Sequence, residues 1–231
     1  MSRLIHQIRD VMRYKHYSRR TEESYIHWIR RFIVFHNKQH PKDMGKDEVV
    51  KFLTHLAVNR QVAPSTQNLA LSSILFLYKE VLKIELPWID NFQRAKRSTH
   101  IPVVFTREEI KRLFAQLDGT YWLMFSLMYG SGLRLMECVR LRVKDIDFHY
   151  RQLIIRDGKG SKDRVTVLPA TLIEPLQNHL ARVKVRHEQD LVDGYGKVHL
   201  PYALERKYPN ASRMFEWQYV FPAKTIGKDP R

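Results

Sequence analysis

For its first ninety or so residues the chain spaces apolar side chains three and four apart, and then the pattern stops. Such spacing puts the apolar residues on one face of a 3.6-residue turn, so this stretch can only bury them as a set of amphipathic helices. "LIHQIRDVMRYKH" aligns Leu4, Ile5, Ile8, Val11 and Met12. "SRRTEESYIHWIRRFIVFHNK" aligns Tyr25, Trp28, Ile29, Phe32, Ile33 and His36, with Ser18 or Thr21 as the N-cap. "KDEVVKFLTHLAV" offers Val49, Val50, Phe52, Leu53 and Leu56. "APSTQNLALSSILFLYKEVLKIEL" gives the cleanest stripe, Leu71, Ile74, Leu75, Tyr78, Val81 and Leu82. About four helices with short connections make a small bundle, assigned to residues 1–90.

Residues 91–104 carry no period. They are basic, through Arg94, Lys96 and Arg97, and the proline at 102 favours an extended path. This is read as a linker, with a second domain over 105–231. That domain opens on a capping box, Thr106 with Glu109. "TYWLMFSLMY" reads as a core helix, apolar almost all round. A Gly130-Ser131-Gly132 turn and a helix from Arg134 follow. "DIDFHYRQLIIRD" and "DRVTVLP" read as strands flanking a turn, "DGKGSKD". "TLIEPLQNHLARVKVRHEQ" is helical, which requires Pro175 in the first turn. Residues 190–215 are rich in Gly, Pro, Tyr and charge and read as an insertion with one short helix near Ala203–Lys207. "EWQYVFP" reads as a short strand. The expected fold class is therefore mainly α with a small β-sheet.

Charge narrows the partner. Lys and Arg number 40 against 24 Asp and Glu, a net charge of +16. An excess of this size points to a polyanion, nucleic acid before an anionic membrane or a merely solvated surface. The single cysteine, Cys138, allows no disulfide within the chain, sits in an apolar helix as a small core residue, and fits a reducing cytoplasm. No apolar run is long enough to span a membrane and no signal-peptide core is present. Gly130-x-Gly132 lacks the third glycine of a dinucleotide site, "GKGSKD" lacks P-loop spacing, and the histidines form no zinc motif. No metal or nucleotide cofactor is expected.

One pair of cations stands out. Arg134 opens a helix of mostly apolar residues, and a guanidinium at a helix N-terminus can grip a phosphate with parallel hydrogen bonds. Lys159 lies in a Gly-Lys-Gly turn, where a mobile ammonium could donate a proton to a leaving oxygen. Glu137, three residues after Arg134, shares its helical face and could orient it. Taken singly, these are equally an ion pair and a turn lysine.

In order, however, "GSGLRLMECVRLRVKDID" followed by "GKGSKDRVTVLP" resembles the catalytic core of tyrosine recombinases. The resemblance implies that Arg134 binds the scissile phosphate, that Lys159 is the general acid for the leaving 5′-hydroxyl, and that Glu137 supports the site. It also implies that the first ninety residues are a SAM-like core-binding domain and that the basic linker completes a clamp on duplex DNA. "YSRRTEESYIHWIRRFIVFH" and the insertion ending in "WQYVFPA" are further similar to integron integrases, which recombine folded single-stranded cassette sites. An insertion of that kind receives bases protruding from the hairpin. Trp217 and Pro230 are the stacking candidates, ahead of Tyr219, His199 and Pro201, while core packing beside Val220 and Phe221 stays open for Trp217.

The chain departs from the family in one respect. The family uses a second arginine in a His-x-x-Arg box and then a nucleophilic tyrosine. Of the strings of this form, His27–Arg30 and His179–Arg182 read as charged positions on amphipathic helices, and Tyr202, Tyr208 and Tyr219 lie in or beside the insertion. The sequence thus reads as an integron-type integrase shortened before its last catalytic segment and inactive in strand cleavage alone. Tetrameric assembly on DNA belongs to the family, and the sequence leaves it open for this chain. A DNA-binding module without chemistry, and a basic helical RNA-associated protein, are the competing readings.

Overall fold

The computed structural model describes residues 2–85, 95, 96, 101, 103–158, 162–223, 225 and 227. It separates into two compact units, residues 1–102 and 103–231. Together they follow the expected class, mainly helical with one small antiparallel sheet, which lies in the second unit.

The first unit is a four-helix bundle: α1 (Ser2–Tyr14), α2 (Arg19–Phe35), α3 (Lys46–Thr54) and α4 (Pro64–Phe76). Ser18 caps α2, its hydroxyl accepting from the Thr21 amide at 3.2 Å. Glu22, on the first turn of α2, is buried and meets Arg9 and Arg13, each at 3.4 Å. The chain of α4 continues past Phe76 in wider turns, Leu77–Leu82, and stops at Lys83 in the left-handed region. This helix is central and does not lie on the surface. It buries Ala70, Leu71, Ser73, Ile74, Phe76, Leu77 and Tyr78, a much broader face than the stripe read from spacing. The Tyr78 hydroxyl donates to the carbonyls of Pro41 and Met44 at 2.9 and 3.1 Å, and burial pushes its pKa up. Val50, read as core, is exposed instead, because α3 buries only Val49, Phe52 and Leu53.

The second unit begins with α5 (Arg107–Phe114), capped as expected. The Thr106 hydroxyl accepts from the Glu109 amide, and Glu109 accepts from the Thr106 amide. Next comes α6 (Gly119–Ser131), then α7 (Leu135–Val139). The expectation that α6 is buried all round fails. Leu123, Ser126, Leu127 and Ser131 face the core, while Tyr121, Phe125 and Tyr129 are exposed. Strands β1 (Ile146–Asp147), β2 (Gln152–Ile155) and β3 (Arg164–Val167) pair antiparallel in sequence order, with Leu153 opposite Thr166 and Ile155 opposite Arg164. Leu153 and Ile155 join Leu127, Cys138, Leu168 and Leu176 in the core.

The long helix α8 (Ile173–Val192) starts with Pro175 in its first turn, where no amide is missed. His179, read as a charged position on an amphipathic helix, is buried. Its Nε2–H donates to the Val220 carbonyl at 2.8 Å, and desolvation lowers its pKa, favouring the neutral ring. His187 reaches the Arg213 carbonyl at 2.9 Å. These two histidines anchor the irregular segment after α8, which carries the short helix α9 (Leu204–Lys207). "EWQYVFP" forms no strand. Phe215–Trp217 is a single 3-10 turn, and Tyr219 makes only an isolated bridge to Arg142.

Candidate active site

Two glycines shape the turn that presents Arg134. A Cβ on Gly130 would lie 2.6 Å from Pro169 Cγ, so only glycine permits this approach of α6 to the entrance of α8. Gly132 ends α6 at φ +62°, a left-handed conformation in which its amide donates to the Met128 carbonyl. The chain then reverses, and Arg134 is the extended residue immediately before α7.

Arg134 and Glu137 meet, as their spacing implies. The Arg134 guanidinium donates to Glu137 Oε1 at 2.7 Å and its backbone amide to Oε2 at 2.9 Å. The Arg134 side chain is 59% exposed, whereas the Glu137 side chain is only 7% exposed. The arginine is therefore a surface cation resting on a buried carboxylate, and it carries no buried positive charge of its own.

A third residue, unnoticed in the sequence, completes the group. Arg164, at the start of β3, grips Glu137 with both terminal nitrogens, 2.8 Å to Oε1 and 2.8 Å to Oε2, and also donates to the Gly132 carbonyl at 3.2 Å. Glu137 thus accepts four hydrogen bonds. The Arg164 grip holds its pKa down to about 2, with the Arg134 amide and guanidinium adding to it against the opposing effect of burial. Two guanidiniums on one carboxylate leave a net charge of +1, directed to solvent through Arg134.

The β2–β3 loop lies against this group. The Gly158 amide donates to the Lys162 carbonyl at 3.1 Å, closing the turn. A Cβ on Gly158 would stand 2.9 Å from that carbonyl and 3.4 Å from Glu137 Oε1. Lys159 itself lies outside the described residues, as do Arg94, Arg97 and Pro230. Lys96 is described and exposed.

Trp217 sits elsewhere in this unit, half-buried. The Lys144 ammonium stands 3.0 Å from its ring centroid, and burial together with the neighbouring Arg156 charge lowers the pKa of that lysine. Buried Arg142 ties the Trp217 backbone in place, donating to the carbonyls of Trp217 and His199 at 2.6 and 2.7 Å, and its guanidinium lies 4.7 Å from the Tyr219 ring centroid. A base stacking on the ring face that Lys144 covers has to displace that ammonium first.

Comparison with known proteins covers most of the chain. A family model described as the phage integrase N-terminal SAM-like domain matches residues 4–88, and one described as the phage integrase family matches 103–221. Two proteins named "Integrase/recombinase", from Escherichia coli and Pseudomonas aeruginosa, are each 44% identical over 229 residues, which is 99% of this chain and 68% of theirs. The chain thus spans about two thirds of the length of these relatives. Among solved structures, the Tn1549 transposon integrase in complex with transposon right end DNA superposes with a TM-score of 0.58 over 78% of this chain and 65% of its own. At 16% identity that likeness speaks for the fold. Among the described residues no helix is long and apolar enough to cross a membrane.

Proposed function

The chain belongs to the phage integrase family of tyrosine recombinases, and from that premise we propose that its two units are the DNA-gripping and phosphate-holding parts of a site-specific recombinase. The observation that carries this reading is Arg134, an exposed guanidinium with its base fixed by Glu137 at the mouth of a tight turn. A guanidinium so held meets a phosphodiester with two parallel N–H bonds and stabilises the charge that grows on its oxygens as a strand is cut. Lys159, one residue beyond Gly158, is assigned to protonate the leaving 5′-oxygen. Glu137 orients Arg134.

The partner in this reading is DNA, met in the cytoplasm. The net charge of +16 supports it, as do Arg94, Lys96 and Arg97, which are assigned to the backbone of a duplex attachment site. We assign the substrate to the integron type, folded single-stranded cassette sites, on the strength of "YSRRTEESYIHWIRRFIVFH" and the segment leading to "WQYVFPA". Trp217 and Pro230 are the assigned contacts for protruding bases. Neither His27–Arg30 nor His179–Arg182 is assigned as the family's box, and no tyrosine among the 231 residues is assigned as the nucleophile of the phosphotyrosyl step. In this reading the 231 residues bind recombination sites without cutting them.

The test uses the purified chain with a folded cassette hairpin and a duplex of equal length. The expected result is tighter binding to the hairpin and no covalent protein–DNA adduct, with cleavage appearing once a polypeptide carrying the box and tyrosine of a relative is supplied. Cleavage by the chain alone would sink the assignment of the missing groups. Equal affinity for hairpin and duplex would sink the cassette reading.

A further inference from the structure

Arg164 is bound to the phosphate site by three hydrogen bonds, yet it lies 27 residues beyond Glu137 on a different element. We infer that Arg164 is a positioning residue: it takes up the charge of the Glu137 carboxylate, so that Arg134 faces a phosphate as an uncompensated cation, and it fixes the strand leaving the Lys159 hairpin to the turn that presents Arg134. The inference rests on the reading of Arg134 as the phosphate ligand.

The charge argument is direct. Arg134 and Glu137 alone form a neutral pair, and a neutral pair attracts a phosphate only through local hydrogen bonds. Adding the Arg164 guanidinium makes the group +1. The two cations divide the carboxylate unequally. Arg164 holds both oxygens, in the fork geometry that gives the strongest guanidinium–carboxylate contact, whereas the Arg134 side chain makes one bond to Oε1. Arg134 therefore keeps most of its N–H groups and its charge for an incoming anion, and its exposure places them at the surface.

The geometric argument uses the same residue. Arg164 NH2 reaches the Gly132 carbonyl, two residues before Arg134, and Arg164 opens β3 just after the loop. Gly158 on the other arm of the loop has room for no Cβ between the Lys162 carbonyl and the Glu137–Arg164 contact. Both arms of the hairpin are thus referenced to the carboxylate that orients Arg134. The spacing between the phosphate ligand and the loop bearing the assigned proton donor is set by one ion pair.

The experiment titrates the 231-residue chain with inorganic phosphate and follows the arginine Nε–H signals by 15N NMR, with the Glu137 carboxyl followed by 13C NMR. The expected result is that R164Q weakens phosphate binding at Arg134 by roughly fivefold, on the scale of one unit charge at short range screened as in bulk water, since Arg134 is open to solvent. R164Q also moves the Glu137 carboxyl titration to higher pH, and R164K, which keeps the charge, binds within about twofold of wild type. The double variant E137Q/R164Q carries the same net +1 as the wild-type group, so it recovers phosphate binding relative to R164Q. A brace with no electrostatic role predicts the opposite, a double variant weaker than R164Q, and that result overturns the inference, as does R164Q binding phosphate like wild type. If wild type and R134Q respond to phosphate alike, the reading of Arg134 fails first, and the inference falls with it for a separate and visible reason.

Discussion

Glu137 shows how far a single carboxylate can be committed. Both its oxygens are saturated by N–H donors from two arginines, and its pKa is held at about 2. An unfolded glutamate titrates near 4.5. Because the folded state binds the proton less readily, the stabilisation is complete above about pH 4.5 and is lost as pH falls through about 2. The shift corresponds to about 3 kcal/mol. We therefore expect E137Q to be destabilised by about that amount in urea unfolding at pH 7, with the gap to wild type narrowing between pH 4.5 and 2. A gap that is constant with pH would mean that lost packing, and not the charged hydrogen bonds, carries the effect. In the sequence, Arg134 and Glu137 were readable as a pair because three residues bring side chains together on one helix. Arg164 was not, since its contact crosses from a strand and depends on the pairing register.

The strand β3 explains why. "RVTV" alternates, and the natural reading turns the valines inward. In the structure Val165 and Val167 are 60% and 59% exposed, while Arg164 and Thr166 face α6 and α7. Thr166 donates to the Ser131 carbonyl at 2.9 Å, so this face of the strand reads the polar turn at residues 130–132, and hydrophobicity predicts the wrong side. Elsewhere local signals served well. The caps at Ser18 and Thr106, the four helical stripes and the position of Pro175 all follow from short-range chemistry. What spacing could not show was how many sides of a helix are covered, as the broad burial of α4 and the exposed aromatics of α6 make clear. Gly130 gives the corresponding test. Alanine at this position inside α6 gains about 1 kcal/mol of helix propensity. Its Cβ, however, meets the rigid Pro169 ring at 2.6 Å, and overpacking of that kind costs about 1 to 3 kcal/mol. We expect the clash to win, with G130A destabilised by about 1 kcal/mol in urea unfolding. A more stable G130A would show that the turn and the start of α8 yield easily, and that Arg134 is not tightly presented.

Across the whole molecule the decisive quantity is the charge. The chain carries 40 basic and 24 acidic residues. Part of the acidic minority is paired internally: Glu22 with Arg9 and Arg13, Glu80 with Lys15, Asp145 with Arg156, and Glu137 with Arg134 and Arg164. Internal pairing of this kind does not lower the net charge, so the surplus of 16 stands over the surface as a positive field. A field alone gives affinity without sequence preference, through release of the counterions condensed on DNA. Binding to a plain duplex should therefore weaken in proportion to a power of the salt concentration. The exponent is close to the number of phosphates neutralised, so about six contacts give a loss of roughly a thousandfold between 50 and 200 mM salt. A fluorescence anisotropy titration across that range measures the slope directly. Replacing exposed Lys96 by glutamine should lower the slope by about one phosphate while leaving hairpin preference unchanged, because a backbone contact carries no sequence or shape information of its own. A slope near zero would show that the charge is solvated surface and that the DNA reading must rest on shape and local contacts alone.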